Sequence, residues 1–466
     1  MIRLALVLAL IAGPAFAQSS APNDPYFSTS GAWGQSYGDQ WALARIGLAP
    51  KGSGKSAWDL ETGQNRPVIV AVLDTGLDFL HPEIHPKSLW RNPKPARPGE
   101  SSDGYVDDRI GWNFVDNNPN PFDNDGHGTF VAGLIGAAAN NGRGIAGINW
   151  GARLMPLKVM NLFGKGRAFD LARAIIYAAD HGARVINLSL EGEKPTRTEE
   201  LALAYAEQKG VLVVVAAGNR AGETDDRVGG FRRALAVAAL DPQDRRAGFS
   251  NWGKHVRIAA PGVDILSLRA RRSDFMLLTG AKNYRAGDAF VGPERQLMRS
   301  SGTSFAAPFV SGVASLILAK NPNLSAAQVE RMLLMSADDV ETPGWDQLTG
   351  YGRLNARKAL EADPDYFLFA ELHKAAPVKD AGRVVLQVSG TASGSRFAGY
   401  HLEIGQGENP ASWRRAGKLA AGQVQDGILG TLGFEDFGAP GRWTVRLVAQ
   451  DSRNFTRESR VSLTLQ

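Results

Sequence analysis

The sequence predicts an α/β fold, a doubly wound and mainly parallel sheet, followed by a small all-β sandwich. Three features lead there. Uninterrupted apolar runs rich in β-branched residues recur at Val68–Leu73, Leu154–Val159, Val185–Leu190, Val211–Ala216 and Ala234–Leu240, the mark of strands buried on both faces. Helical patterns fall between them, at about 128–139, 170–181 and 197–209. Such alternation makes a parallel sheet with its sites at the carboxyl ends of the strands. After Leu360 the texture changes to short alternating segments at Val384–Val388, Gly399–Ile404, Trp443–Ala449 and Val461–Leu465, separated by Gly, Asn, Pro and Ser turns.

Taken in order, the chain begins with Arg3, an apolar run from Leu4 to Ala12, and Ala15-Phe16-Ala17. This is the pattern of an export signal over 1–17, too short to cross a bilayer as a helix, and no later run is long and apolar enough to do so. A polar arm follows over 18–57, with Trp33 and Trp41 as anchors, then the α/β domain over 58–363 and an immunoglobulin- or fibronectin-like sandwich over 364–466. Asp170 can cap the second helix, with Gly182 just past its end, and Thr196 with Glu199 forms a capping box for the third. The 466 residues contain no cysteine, so an exported product must be held by its core or by metal ions. The net charge of +5 becomes +4 once Arg3 leaves with the signal, too weak to imply a nucleic-acid partner. A monomer is expected.

The strand ends carry the chemistry. The first run leads into Asp74-Thr75-Gly76, and Asp125-Gly126-His127-Gly128-Thr129 opens a helix of small residues. Val211–Ala216 leads into Ala217-Gly218-Asn219, and Gly302-Thr303-Ser304 starts a helix running to about Lys320. Alone, an Asp after a strand is usually a turn, and a Ser at a helix start a cap. Four such residues, each near glycine at a strand end or helix start, point instead to nucleophilic catalysis. His127 would take the proton of Ser304, Asp74 would hold the imidazole, and Asn219 would donate its amide to an oxyanion.

The segments Val-Leu-Asp74-Thr-Gly, His127-Gly-Thr, Ala-Ala-Gly-Asn219 and Gly-Thr-Ser304-Phe-Ala-Ala-Pro together resemble the subtilisin-like serine peptidases. The resemblance runs from about Asn23 to Asp363, with Ala259-Ala260-Pro261-Gly262 and Tyr351-Gly352 as further marks. It implies a secreted serine endopeptidase that cleaves protein or peptide substrates through an acyl-enzyme. It also implies that Ser189-Leu190 pairs with substrate, with Glu191 where a glycine is usual, and that Gly164-Lys165-Gly166 forms the opposite edge. Gly218 and Arg220 would belong to the same site, Arg220 at the floor of the first specificity pocket. There it would disfavour a basic substrate residue while Glu191 would attract one, leaving a broad, mainly apolar preference. Structural calcium is implied at Asp24, Glu83 and Asn141. The loop with Asp103, Asp107, Asp108 and Asp116 reads as a second ion site or as a solvated loop.

The sequence departs from the family pattern in places. Phe130 replaces a frequent His, Phe305 a frequent Met, and an Arg-rich insertion fills Leu268–Arg299. Between Ala17 and Trp58 no foldase pro-domain fits, so self-folding with calcium is expected. Two other function classes remain open on sequence alone: a peptidase-like binding protein with an idle triad, and a surface-interaction protein acting through its β-domain.

Overall fold

Seven strands build the central sheet: β1 (Ile69–Asp74), β2 (Trp112–Asn113), β3 (Arg153–Lys158), β4 (Val185–Leu188), β5 (Leu212–Ala216), β6 (Leu235–Leu240) and β7 (Val256–Pro261). The structure is a computed structural model describing residues 21–49, 55–192, 194–224, 230–271, 288–380 and 382–465. The export signal expected over 1–17, and residues 272–287 of the insertion, lie outside the described residues. The strands are ordered β2-β3-β1-β4-β5-β6-β7, and every pairing is parallel. The chain winds outward in both directions from β1 and β4, so the switch point where such folds place their sites lies at the end of β1.

Both faces of the sheet are covered, which is why the strands read as unbroken apolar runs. Val70 and Val72 of β1 face one core with helices α1 (His127–Gly136) and α4 (Thr303–Lys320). Ala71 and Leu73 face the other core, with α2 (Ala168–Asp180) and α3 (Arg197–Gln208). Helix α4 is buried from Thr303 to Ala319. Among the described residues it is the helix long and apolar enough to cross a membrane, and the fold encloses it.

The Thr196–Glu199 capping box forms as expected, and Gly182 ends α2 at a φ of +81°. Asp170 does not cap α2. The helix starts earlier, after Arg167, and Asp170 lies in its first turn, held by the Arg167 guanidinium at 2.6 and 3.0 Å. Strand β7 escaped the sequence reading because Arg257 interrupts its apolar run.

Beyond Leu368 two antiparallel sheets form the sandwich. Leu368–Asp380, Arg383–Gly394 and Val424–Gly433 make one; Phe397–Gln406, Arg414–Ala420, Gly441–Asp451 and Thr456–Leu465 make the other. Leu386, Val388, Leu402, Ile404, Val445 and Leu447 lie in the core between them. Three of these strands were missed from sequence, Leu368–Asp380, Arg414–Ala420 and Val424–Gly433, of which Arg414–Ala420 has no buried position and therefore no alternation to read.

The sandwich is bound to the α/β unit by buried polar contacts. Glu371 accepts hydrogen bonds from Arg257 at 2.8 Å and the Tyr351 hydroxyl at 2.6 Å. Trp345, fully enclosed, donates its backbone N–H to the Glu458 carbonyl at 3.1 Å and accepts from the Ser459 hydroxyl at 2.7 Å. Burial alone would raise the Glu371 carboxyl, but Arg257, His373 and Tyr351 outweigh it and hold it at about 2, below the usual 4.5. A depressed carboxyl stabilises the fold fully above its ordinary value and loses that contribution as pH falls through the depressed one. Glu371→Gln should therefore lower unfolding stability at neutral pH by ~3 kcal/mol, the lower end of the cost of breaking a buried pair, because Glu330 at 3.9 Å remains beside Arg257. The deficit should shrink toward pH 2, where the wild-type carboxyl is itself half protonated. Urea midpoints that match at neutral pH would contradict this reading.

Candidate active site

Asp74 closes β1 and is wholly buried. Its Oδ1 accepts from the Thr75 backbone N–H at 2.7 Å and from His127 Nδ1 at 2.8 Å. Because a carboxylate only accepts, Nδ1 carries the proton and Nε2 is left as the basic nitrogen. His127 is the first residue of α1, following Gly126 at a φ of +115°. Gly126 has no side chain to cap the helix, and the buried Asp123 carboxylate does so instead. It accepts from the N–H groups of Gly126 and Thr129, both at 2.9 Å, and from the Thr129 hydroxyl at 2.6 Å. Gly128 is required by close approach, since a Cβ there would lie 2.1 Å from the Gly76 carbonyl oxygen.

Ser304 is the second residue of α4 and 9% exposed. Pro308 lies within the helix rather than in its first turn, and its missing N–H leaves the Ser304 carbonyl without an in-helix donor. The Ser189 hydroxyl supplies one at 2.6 Å. Ser189 in turn accepts from Asn187 Nδ2, and Asn187 Oδ1 from the Ser311 hydroxyl, each at 2.8 Å. The Ser304 hydroxyl makes no hydrogen bond among the described residues; catalytic contacts of this kind commonly tighten only once substrate binds.

Asn219 follows β5 through Gly218, at a φ of +103°. Its Oδ1 accepts from Thr303 N–H at 2.8 Å and Thr303 Oγ1 at 3.0 Å. A backbone donor must face the amide oxygen, so Nδ2 is the end left to donate. The His127 ring packs on Phe305 with centroids 5.5 Å apart, and Phe305 on Phe130 at 4.3 Å. The two departures from the family pattern thus touch each other behind the histidine. Burial pulls the His127 imidazolium down, but Asp74, Asp125 and Asp123 outweigh it and push its pKa up to about 9.

The expected substrate edges meet. Gly164, Lys165 and Gly166 line a cavity of about 570 Å³ together with Leu190, Glu191 and Arg220. A Cβ on Gly218 would touch Glu191 Oε1 at 3.4 Å, which sets Gly218 beside this wall. Arg220 is not a floor residue. Its side chain is 60% exposed and ion-paired to Glu191 at 2.8 Å, so the two charges expected to pull specificity in opposite directions compensate each other.

The three calcium candidates also meet. Asp24 accepts from the N–H groups of Asn140 at 2.6 Å and Asn141 at 3.4 Å, and Asn141 Nδ2 lies 3.4 Å from Glu83 Oε2. Burial, aided by the Asp24 charge, pushes Glu83 up to about 7 against the Asn141 hydrogen bond. The loop aspartates do not converge. Asp103 binds Ser101, Asp107 binds Arg109, Asp108 binds Asn92 and Tyr177, and Asp116 binds Asn113. Among the described residues no group of three His, Asp or Glu side chains could hold a metal, so the second ion site is not supported. The Asp24 set is two carboxylates and an amide.

Sequence reasoning overlooked Asp123 and Asn187 and read Ser189 only as a substrate contact. The position of Asp123 just before the helix was the one available signal, that of a cap placed ahead of a glycine.

The sequence profile of the subtilase family matches residues 65–352. The chain is 35% identical over 339 residues to a thermophilic serine proteinase of Bacillus sp. (strain AK1), across 73% of this chain and 69% of that one. It is 33% identical over 342 residues to thermitase of Thermoactinomyces vulgaris, across 73% and 99%. Among solved structures, a protease from Pseudoalteromonas arctica PAMC 21717 superposes with a TM-score of 0.55 at 26% identity, over 73% of this chain and 99% of that one. With the family profile covering more than half of its length, this chain belongs to the subtilase family and is a subtilisin-like serine endopeptidase acting on proteins or peptides.

Proposed function

We propose that Asp74, His127, Ser304 and Asn219 are the residues through which this chain hydrolyses peptide bonds. The observation that carries the assignment is the Asp74–His127 hydrogen bond, formed at the switch point of the sheet. Ser304 Oγ attacks the scissile carbonyl carbon while its proton passes to His127 Nε2. The carbonyl oxygen becomes an oxyanion, to which Asn219 Nδ2 donates. The C–N bond then breaks, His127 returns the proton to the leaving amine, and water repeats the sequence to release the acyl group. Ser304→Ala should abolish nearly all turnover. Asn219→Ala should lower kcat by roughly 100- to 1,000-fold, the cost known from removing this donor in subtilisin itself. Full peptidase activity in Ser304→Ala would end the assignment.

Calcium fits the Asp24–Glu83–Asn141 set, because burial, with the Asp24 charge nearby, pushes the Glu83 carboxyl up to about 7 even against the Asn141 amide and Arg143. Hard oxygen donors suit that ion, which would neutralise both groups and tie the N-terminal arm to the 140–144 loop. An ion binding only the folded state at a hundredfold excess over its Kd stabilises by about 2.7 kcal/mol. Chelator should lower the melting temperature of the wild type and leave that of Asp24→Asn nearly unmoved. A wild-type Tm indifferent to chelator would remove calcium from the account.

The division into 1–17 as signal, 18–57 as arm, 58–363 as catalytic domain and 364–466 as sandwich belongs to the same proposal, with an exported, monomeric product. It rests on the charged-apolar-small pattern of the N-terminus and on the separate core of the sandwich. Material expressed from the full chain should begin at Gln18 by N-terminal sequencing and elute as a monomer; retention of Met1–Ala17 would refute export processing.

A further inference from the structure

The Asp74–His127 pair stands amid more charge than the reaction uses. Asp123, fully buried, takes five hydrogen bonds: from the Thr75 hydroxyl at 2.9 Å, the N–H groups of Asp125 at 3.0 Å, Gly126 at 2.9 Å and Thr129 at 2.9 Å, and the Thr129 hydroxyl at 2.6 Å. Thr75 Oγ1 also accepts from Gly128 N–H at 2.9 Å. This one carboxylate therefore fastens the residue after Asp74 to the turn of helix that carries His127. Directly opposite Asp74 in the parallel register lies Lys158, at the end of β3. Its side chain is buried, and its ammonium donates to the Thr75 carbonyl. Burial pulls the Lys158 pKa down while Asp123, Asp116, Asp125 and Asp74 pull it back up.

The histidine is thus faced by Asp74 from β1, by Asp123 and Asp125 from the loop before α1, and by the uncharged Phe305 from α4, with Lys158 of β3 beyond the carboxylates. Carboxylates stabilise the imidazolium, and an excess of them would leave the base protonated and idle at neutral pH. A cation among them lessens that pull without cancelling it, since Asp74, Asp125 and Asp123 still hold His127 at about 9.

We propose that Lys158 and Asp123 are positioning residues of the catalytic centre, Lys158 as the counter-charge that tempers the carboxylate field on His127, and Asp123 as the clamp that aligns His127 with Asp74. This goes beyond the catalytic assignment above but rests on His127 being the general base. Neither residue touches substrate; both act through His127.

The test is the pH profile of kcat/KM, whose acid limb reports the ionisation of the free base. Lys158→Met should move that limb up by about one pH unit, with KM at the plateau held within about twofold. Lys158→Arg, which keeps the charge, should leave the limb where it is. Asp123→Asn should move it down and lower plateau kcat by about tenfold, because one negative charge and the alignment are lost together. Opposite shifts support the proposal; limbs that stay in place, or move the same way, overturn it, since a purely structural role changes stability and not the ionisation of His127. Should Lys158→Met fail to fold, Asp123→Asn decides alone by shifting the limb down or leaving it. The same shifts, read from the His127 ring by NMR in a Ser304→Ala background, do not depend on turnover. A failure of the nucleophile assignment is therefore distinguishable from a failure of this one.

Discussion

Everything near the reaction depends on how the start of α4 is satisfied. The helix is enclosed from Thr303 to Ala319, so water cannot serve its unpaired polar groups and the protein has to. Asn219 takes the Thr303 N–H, Ser189 serves the Ser304 carbonyl that Pro308 releases, and Asn187 takes the Ser311 hydroxyl. Those partners lie on β4 and on the segments that follow β4 and β5. Satisfying the helix therefore sets the proposed nucleophile, the proposed oxyanion donor and the substrate edge in one geometry. An unsatisfied buried group costs about 1–3 kcal/mol, so stability and alignment are maintained by the same bonds.

The second constraint is charge. The fold gathers Asp74, Asp123 and Asp125 at the end of β1, in a region where burial pushes the Asp125 carboxyl up to about 6. Repulsion among carboxylates that are out of water is relieved by His127 and Lys158, by the Thr75 and Thr129 hydroxyls, and by backbone N–H groups around the start of α1. The glycines around His127 let those N–H groups approach closely enough to serve.

How much of this the sequence disclosed follows from the physics of each part. The buried strands were legible because apolar side chains must occupy both faces. The tetrad was legible because each member sits beside glycine at a strand end or helix start. β7 was hidden by Arg257, whose charge is spent on Glu371 at the junction with the sandwich, and the Arg414–Ala420 strand by its exposure. Asp123, Asn187 and Lys158 were hidden because a polar residue in a loop or strand has no local pattern that separates a buried partner from a solvated one. The Arg220–Glu191 pair and the Phe130–Phe305 contact are tertiary. Sequence alone carries no sign that the members of either pair touch.

The central claim, that Ser304 is an activated nucleophile served by His127 and Asp74, is tested most directly by covalent capture. A fluorophosphonate probe should give a single adduct on the folded protein, mapped by peptide mass spectrometry to Ser304, and His127→Ala should suppress its formation. Active enzyme whose adduct maps to another serine, or whose Ser304 stays unlabelled while peptides are still cleaved, would contradict the account.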